Sequence, residues 1–260
     1  LEDLKITIPF LVDFYFYTSG ADKSLRKGEY LIDKKSDLFS FSMNLAKGKI
    51  YYRSFYIPEG SIVSQFLSDK EQNSFCIYKG LEECELEGMF HPNTYYFELG
   101  ENINELLNEA FNTQLLIATE QFEKIKENNI VKDVYDLITI ASILEKESCP
   151  NERSLISGII YNRLEKGMKL QIDSTVIYGI ENFNGNLTKN DLRKSTPFNS
   201  YTNYGLPPKP ISTPSKSSLI AAANPTHSEY LYFVSKGKCA HQFSKSYSEH
   251  VEAIKKYQLN

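Results

Sequence analysis

The chain has 260 residues, of which 41% are hydrophobic and 24% charged. That balance suits a globular protein with a buried core and excludes a disordered or fibrous chain. Its 29 basic and 33 acidic residues give a formal net charge of -4 with no dense Lys/Arg run; the positive surface that duplex nucleic acid demands is missing, which excludes nucleic acid as the main partner.

Residues 6–17 are rich in Ile, Val, Phe and Tyr in loose alternation and read as a strand. The run is broken by Pro9 and Asp13 and is too short for a bilayer span, which takes about 20 residues. The start at Leu1 reads as that of a truncated or processed chain whose targeting segment has been removed, or as an internal boundary. Residues 25–32 predict a turn into a short strand, 37–46 a helix ending at Gly48, and 50–57 a second strand closed by Pro58 and Gly60. Residues 76–96 carry Gly80, Gly88 and Pro92 with few periodic apolar positions and predict loop. The spacing of Leu106, Leu107, Ala110, Phe111, Leu115, Ala118, Phe122 and Ile125 predicts an amphipathic helix over 104–128.

From Asp133, a plausible N-cap with Asp136 at the third helical position, a broad apolar face runs to a stop at Pro150. A helix over 151–166 follows, capped by Asn151 and ended by Gly167, then a short strand at 170–172 and a turn of helix capped by Asp173. A proline-rich loop occupies 205–214, a helix 215–224, a hairpin 229–243 around Gly237, and a closing helix 246–258. The expected class is α+β: an N-terminal strand segment at 1–21, a small strand-helix-strand subdomain at 22–70, a linker at 71–103, and a larger mixed domain at 104–260. Cys76, Cys84, Cys149 and Cys239 are too few and scattered for a disulfide scaffold and contain no C-x-x-C pair. The four histidines offer no metal set, and nothing in the sequence calls for a cofactor.

One acid does not fit its own helix. At about 100° per residue, Glu147 projects within about 20° of Ile140, between Ile143 and Leu144, on the apolar face. Glu145 and Lys146 project to the other side, where a solvated pair is normal. Burial and the negative end of the helix dipole both disfavour the ionised form of Glu147, so its pKa is expected to be raised. A carboxyl protonated near neutral pH suits general-acid cleavage of a glycosidic bond. The competing reading is structural: the helix frays at Cys149-Pro150 and turns Glu147 into water, or Glu147 pairs with Arg153 or Arg163.

The string Ala141-Ser-Ile-Leu-Glu145-Lys-Glu147-Ser, followed by Ile160-Tyr-Asn-Arg163, Gln171-Ile-Asp173-Ser-Thr175, Pro197-Phe-Asn199-Ser-Tyr201, Gly205-Leu-Pro207-Pro208, Tyr230-Leu-Tyr232-Phe-Val and His241-x-Phe243, closely resembles the YceG-like family, which comprises the MltG endolytic murein transglycosylases of the bacterial envelope. The resemblance implies that Glu147 is the catalytic residue and that 22–70 is a LysM-like subdomain. It implies a lyase acting on peptidoglycan glycan strands: the β-1,4 bond between N-acetylmuramic acid (MurNAc) and N-acetylglucosamine (GlcNAc) is cleaved with formation of a 1,6-anhydro-MurNAc end, trimming or terminating nascent strands. It implies a single-pass inner-membrane anchor upstream, this chain lying on the periplasmic side, with peptidoglycan synthases as candidate partners. Gln171, Asp173, Thr175, Asn199 and Tyr201 are the candidates for holding sugar hydroxyl and acetamido groups; Asp173 as a cap, Asn199 as a turn residue and Tyr201 as core are the structural alternatives. The proline-rich loop reads as a groove wall, and His241 and His250 as structural or supporting residues. The chain departs from the family pattern at Ser174, where Pro is usual, and at Lys209, Thr213 and Ser215 in the loop. Two rival functions remain: a hydrolytic muramidase with Asp173 or Asp191 as second carboxylate, and a non-catalytic peptidoglycan-binding scaffold.

Overall fold

The computed structural model describes residues 14–18, 20, 26–31, 37–127 and 129–258. In chain order these hold helix α1 (Leu38–Ala46), strand β1 (Arg53–Ile57), helix α2 (Asp69–Lys79), strand β2 (Asn93–Phe97), helices α3 (Ile103–Phe122), α4 (Val134–Glu147), α5 (Arg153–Glu165), α6 (Asp173–Tyr178) and α7 (Lys216–Ala223), strands β3 (Tyr232–Gly237) and β4 (Ala240–Ser244), and helix α8 (Tyr247–Tyr257). The strands form two small sheets, β1 with β2 and β3 with β4, and the fold is α+β. No helix among the described residues is long and apolar enough to cross a membrane.

The chain divides into two compact units, residues 1–55 with 94–103, and residues 56–93 with 104–260. In the first, α1 begins where the sequence placed it, the Asp37 carboxylate accepting from the Ser40 amide at 2.7 Å. The strand expected at 6–17 falls mostly outside the described residues. Its described end is helical instead, and the Thr18 hydroxyl donates back to the Phe14 carbonyl at 2.9 Å, which closes a helical turn. Of the strand expected at 25–32, the described residues 26–31 belong to neither sheet.

The linker expected at 71–103 is largely structured. Ser68 and Glu71 form a reciprocal capping box that opens α2, and Gly80, at φ 70°, closes it in the left-handed conformation that other residues resist. Only Phe75 and Cys76 of α2 are buried, too few to show as a periodic stripe. Phe75 joins Phe90 and Phe111 in an aromatic core with centroid separations of 5.3, 5.8 and 6.2 Å.

The centre of the second unit is α4. Asp133 caps it as expected, accepting from the Asp136 amide at 2.8 Å. Residues 137–144 are all buried, so the helix is covered on every side. The small side chains Ala221, Ala222 and Ala223 of α7 are buried with it, and α7 opens on Ser215 as its N-cap. Gly158 of α5 lets the chain pass closely: a Cβ there would collide with the Thr226 carbonyl oxygen.

Three local expectations need correction. Asn151 is not the cap of α5, because Pro150 starts a separate 3-10 turn, Pro150–Glu152, and the helix begins after it. Residues 170–172 form no strand; Gln171 adopts φ 51°, which breaks an extended run, and its amide donates to the Ser200 carbonyl at 3.1 Å. The cysteines are not scattered in space, for Cys76 pairs with Cys84 and Cys149 with Cys239 in two disulfides.

Candidate active site

Glu147 is the last residue of α4, and the chain turns away immediately: the Ser148 amide and hydroxyl both bond to the Leu144 carbonyl, and Pro150 follows. The side chain enters a cleft of about 430 Å³ walled by 170–173, Tyr201, the β3–β4 hairpin and α8. The Ser174 amide, in the first turn of α6, donates to Glu147 Oε1 at 3.3 Å. Burial pushes the Glu147 carboxyl above its ordinary range; Ser174 pulls it back, the negative charge of Asp173 adds to the rise, and His241 opposes it. An acid so placed holds its proton longer than an exposed glutamate and can deliver it to a group bound in the cleft.

Glu145 contradicts the expectation of a solvated surface acid. Its side chain is 6% exposed and pairs with Arg153, itself 8% exposed, at 2.7 Å. Its second oxygen accepts from the Ser215 amide at 2.8 Å, the Ser215 hydroxyl at 2.6 Å and the Ser218 hydroxyl at 2.7 Å. Arg153 also donates to Ser215 at 3.1 Å and to Ser217. The projection failed because it assumed one covered face, whereas α7 covers the other one too. Arg153 is therefore committed to Glu145, not Glu147. Lys146 does reach the surface and donates to the Gly60 carbonyl at 3.2 Å.

Of the five candidate sugar-binding residues, Gln171, Asp173 and Tyr201 line the cleft with Glu147. Asp173 is the first residue of α6 and makes no side-chain cap; it accepts from the Tyr201 hydroxyl at 2.6 Å. Gln171 accepts from Arg163 Nη1 at 3.2 Å. Thr175 and Asn199 do not reach the cleft; both are wholly buried. Since 173–178 is helical rather than extended, Thr175 turns inward, bonding the Ile172 carbonyl at 2.7 Å and the Ser200 hydroxyl at 2.8 Å. Asn199 donates to the carbonyls of Asp191, Leu192 and Lys194 and accepts from the Tyr201 amide at 2.9 Å, so it shapes the loop that presents Tyr201. Asp191 is occupied by Thr188, whose amide and hydroxyl it accepts at 2.9 and 2.6 Å, and lies outside the cleft.

Arg163 is an organiser that spacing could not reveal. Its guanidinium donates to the carbonyls of Leu231, Lys169 and Leu170 at 2.6, 2.8 and 3.0 Å and lies 4.9 Å from the centre of the Tyr232 ring. It thus ties 169–171 to the start of the hairpin. His250 stacks on the other partner of that arrangement, Tyr232, at 5.0 Å, and burial lowers its pKa, so it stays neutral near pH 7. Tyr247, 67% exposed, adds an aromatic surface at the cleft edge. Among the described residues no group of three or more His, Cys, Asp and Glu side chains is placed to hold a metal ion.

The comparisons with known proteins agree with one another. A family model described as the YceG-like family matches residues 2–256. A Bacillus subtilis protein named endolytic murein transglycosylase is 36% identical over 173 residues, covering 66% of this chain and 48% of its own length. A protein of the same name from Streptococcus pneumoniae serotype 2 is 34% identical over 155 residues, covering 57% of this chain and 28% of its own. This chain therefore spans about half, or less, of the curated relatives it matches. A crystal structure of a yceG-like protein from Listeria monocytogenes superposes with a TM-score of 0.65 at 27% identity, over 93% of this chain and 89% of that one. With nearly every residue inside the matched span, the chain belongs to the YceG-like family.

Proposed function

We propose that this chain is a lytic transglycosylase that cleaves peptidoglycan glycan strands endolytically between MurNAc and GlcNAc, with Glu147 as general acid and base. The observation that carries the reading is a half-buried carboxyl, its pKa raised chiefly by burial, at the wall of an open cleft that also presents hydroxyl, amide and aromatic groups. A glycosidase that uses water needs two working carboxylates. Here the MurNAc 6-hydroxyl supplies the nucleophile: Glu147 protonates the leaving oxygen as the C1–O bond breaks, O6 bonds to C1, and the Glu147 carboxylate takes the O6 proton. No water is consumed and the acid is restored. Gln171, Asp173 and Tyr201 hold the sugars, while the exposed Tyr247 ring offers a face on which a sugar ring stacks.

The relatives named endolytic murein transglycosylase support this reading. With it go the LysM-like role for 22–70, which rests on α1 and β1, an upstream membrane anchor with this chain outside the cytoplasm, and synthases as partners in trimming or terminating new strands. A hydrolytic muramidase is the second reading, favoured by one observation: Asp173 shares the cleft with Glu147. Digestion of purified sacculi separates the two. Sugar ends carrying 1,6-anhydro-MurNAc on mass spectrometry are expected, absent after Glu147→Gln; free reducing ends would establish the muramidase, and undiminished cleavage by the variant would remove Glu147 from the mechanism.

A further inference from the structure

His241 sits on β4 and lines the cleft that holds Glu147. Its position is fixed twice over by one carboxylate. Glu152 Oε2 lies 2.7 Å from the His241 ring nitrogen Nδ1, and Glu152 Oε1 accepts from the His241 backbone amide at 3.2 Å. A carboxylate can only accept, so Nδ1 carries the hydrogen and Nε2 is the ring nitrogen left for a ligand. The ring is also packed edge-on against Phe233 at 5.5 Å, and its side chain is 11% exposed. The main chain is stapled at the same place: Cys149, two positions after Glu147, is bonded to Cys239, two positions before His241. Disulfide and carboxylate therefore bind the hairpin wall to the very segment that carries Glu147.

We propose that His241 contacts the substrate, its Nε2 hydrogen-bonding a sugar hydroxyl in the cleft, and that Glu152 is a positioning residue acting through it. The assignment rests on the glycan-cleaving reading of the site. A largely buried ring held at one nitrogen by a carboxylate, in a residue that lines a polar cleft, is pre-oriented for such a contact and loses little freedom on binding.

The test uses purified glycan strands with three variants of the whole chain, His241→Ala, Glu152→Ala and the double substitution. Each single change is expected to lower kcat/KM about tenfold to a hundredfold, the size of one good substrate hydrogen bond. The double change is expected to lower it little further, because Glu152 has nothing to position once the ring is gone. Added imidazole is expected to restore part of the His241→Ala rate and none of the Glu152→Ala rate. Effects that multiply in the double variant, or no rescue by imidazole, overturn the assignment. Should the variants not fold, the ring nitrogens of an otherwise intact Glu147→Gln protein, followed by ¹⁵N NMR, give the answer: the Nε2 resonance is expected to move on adding glycan strands, and a stationary one overturns the proposal. Failure of the wild-type chain to cleave glycan would instead overturn the enzymatic reading, and the NMR titration would still decide whether His241 meets the sugar.

Discussion

Glu145 and Glu147 stand two positions apart at the end of α4 and leave the solvent by opposite means. Glu145 meets a guanidinium at 2.7 Å and three donors on one oxygen, so both its oxygens are partnered in the interior. Glu147 has the Ser174 amide at 3.3 Å and no basic side chain within ion-pair distance among the described residues, so burial favours its neutral form. The same residue type becomes a structural anchor in one case and a candidate proton donor in the other.

Glycan cleavage should therefore show a basic limb. As the general acid proposed above, Glu147 must be protonated to act, and its raised pKa means that the rate falls as the pH rises through that value. The causes are burial first and, with the same sign, the charge of Asp173. Asp173→Asn removes that charge, so the basic limb of kcat/KM against pH is expected to move to lower pH. A limb that stays in place, or moves upward, would mean that another group sets it. Glu147→Gln should cost about 10² to 10⁴ in rate.

Arg153→Ala should be far more damaging to stability than its surface-like sequence context suggests. It strands Glu145 as an uncompensated interior charge, which typically costs about 3 to 5 kcal/mol. Urea unfolding should show a lower midpoint with an unchanged slope. A loss under about 1 kcal/mol would indicate that the serines alone satisfy Glu145.

The two disulfides should differ in weight. Cys149–Cys239 closes a separation of 90 residues and Cys76–Cys84 one of 8. Loop-closure entropy predicts about 4 to 5 kcal/mol for the first and about 2 to 3 for the second. Paired serine substitutions compared by thermal melting check the order, and only the loss of the first pair should also lower glycan cleavage, since it frees the hairpin wall. Equal losses of stability would show that chain entropy does not govern here.

Glu87 predicts a pH dependence of stability separate from the cleft. Burial raises it to about 7, against the pull of the Tyr178 hydroxyl at 3.0 Å and the Val63 amide at 3.2 Å. The folded state then holds a proton that the unfolded chain has released, so the contribution is complete below the unfolded value of 4.5 and is lost as the pH rises through about 7. The shift corresponds to about 3 kcal/mol. Glu87→Gln should flatten that part of the stability profile; an unchanged slope between pH 4.5 and 7 would remove Glu87 as its source.

What could be read from the residues was local. Asp133 capped the helix it preceded because capping needs only neighbours in sequence, and Glu147 stood out because helical phase is itself local. Glu145 had the same legibility and the wrong outcome, since phase says which face a residue takes but not how many faces will be covered. Thr175 and Asn199 share the chemistry of sugar-binding residues, yet a helical turn at 173–178 and three carbonyls of a nearby loop claim them for the interior.

The one-dimensional order of residues thus determined the start of α4, the mixed class and the acid whose pKa is raised, because periodicity and capping act over a few positions. Tertiary structure alone decided which cysteines meet, which carboxylate finds an arginine, and that Glu152 grips His241 across 89 positions of chain. Such pairings depend on packing between elements distant in sequence, and no local rule encodes which of several apolar faces will come together.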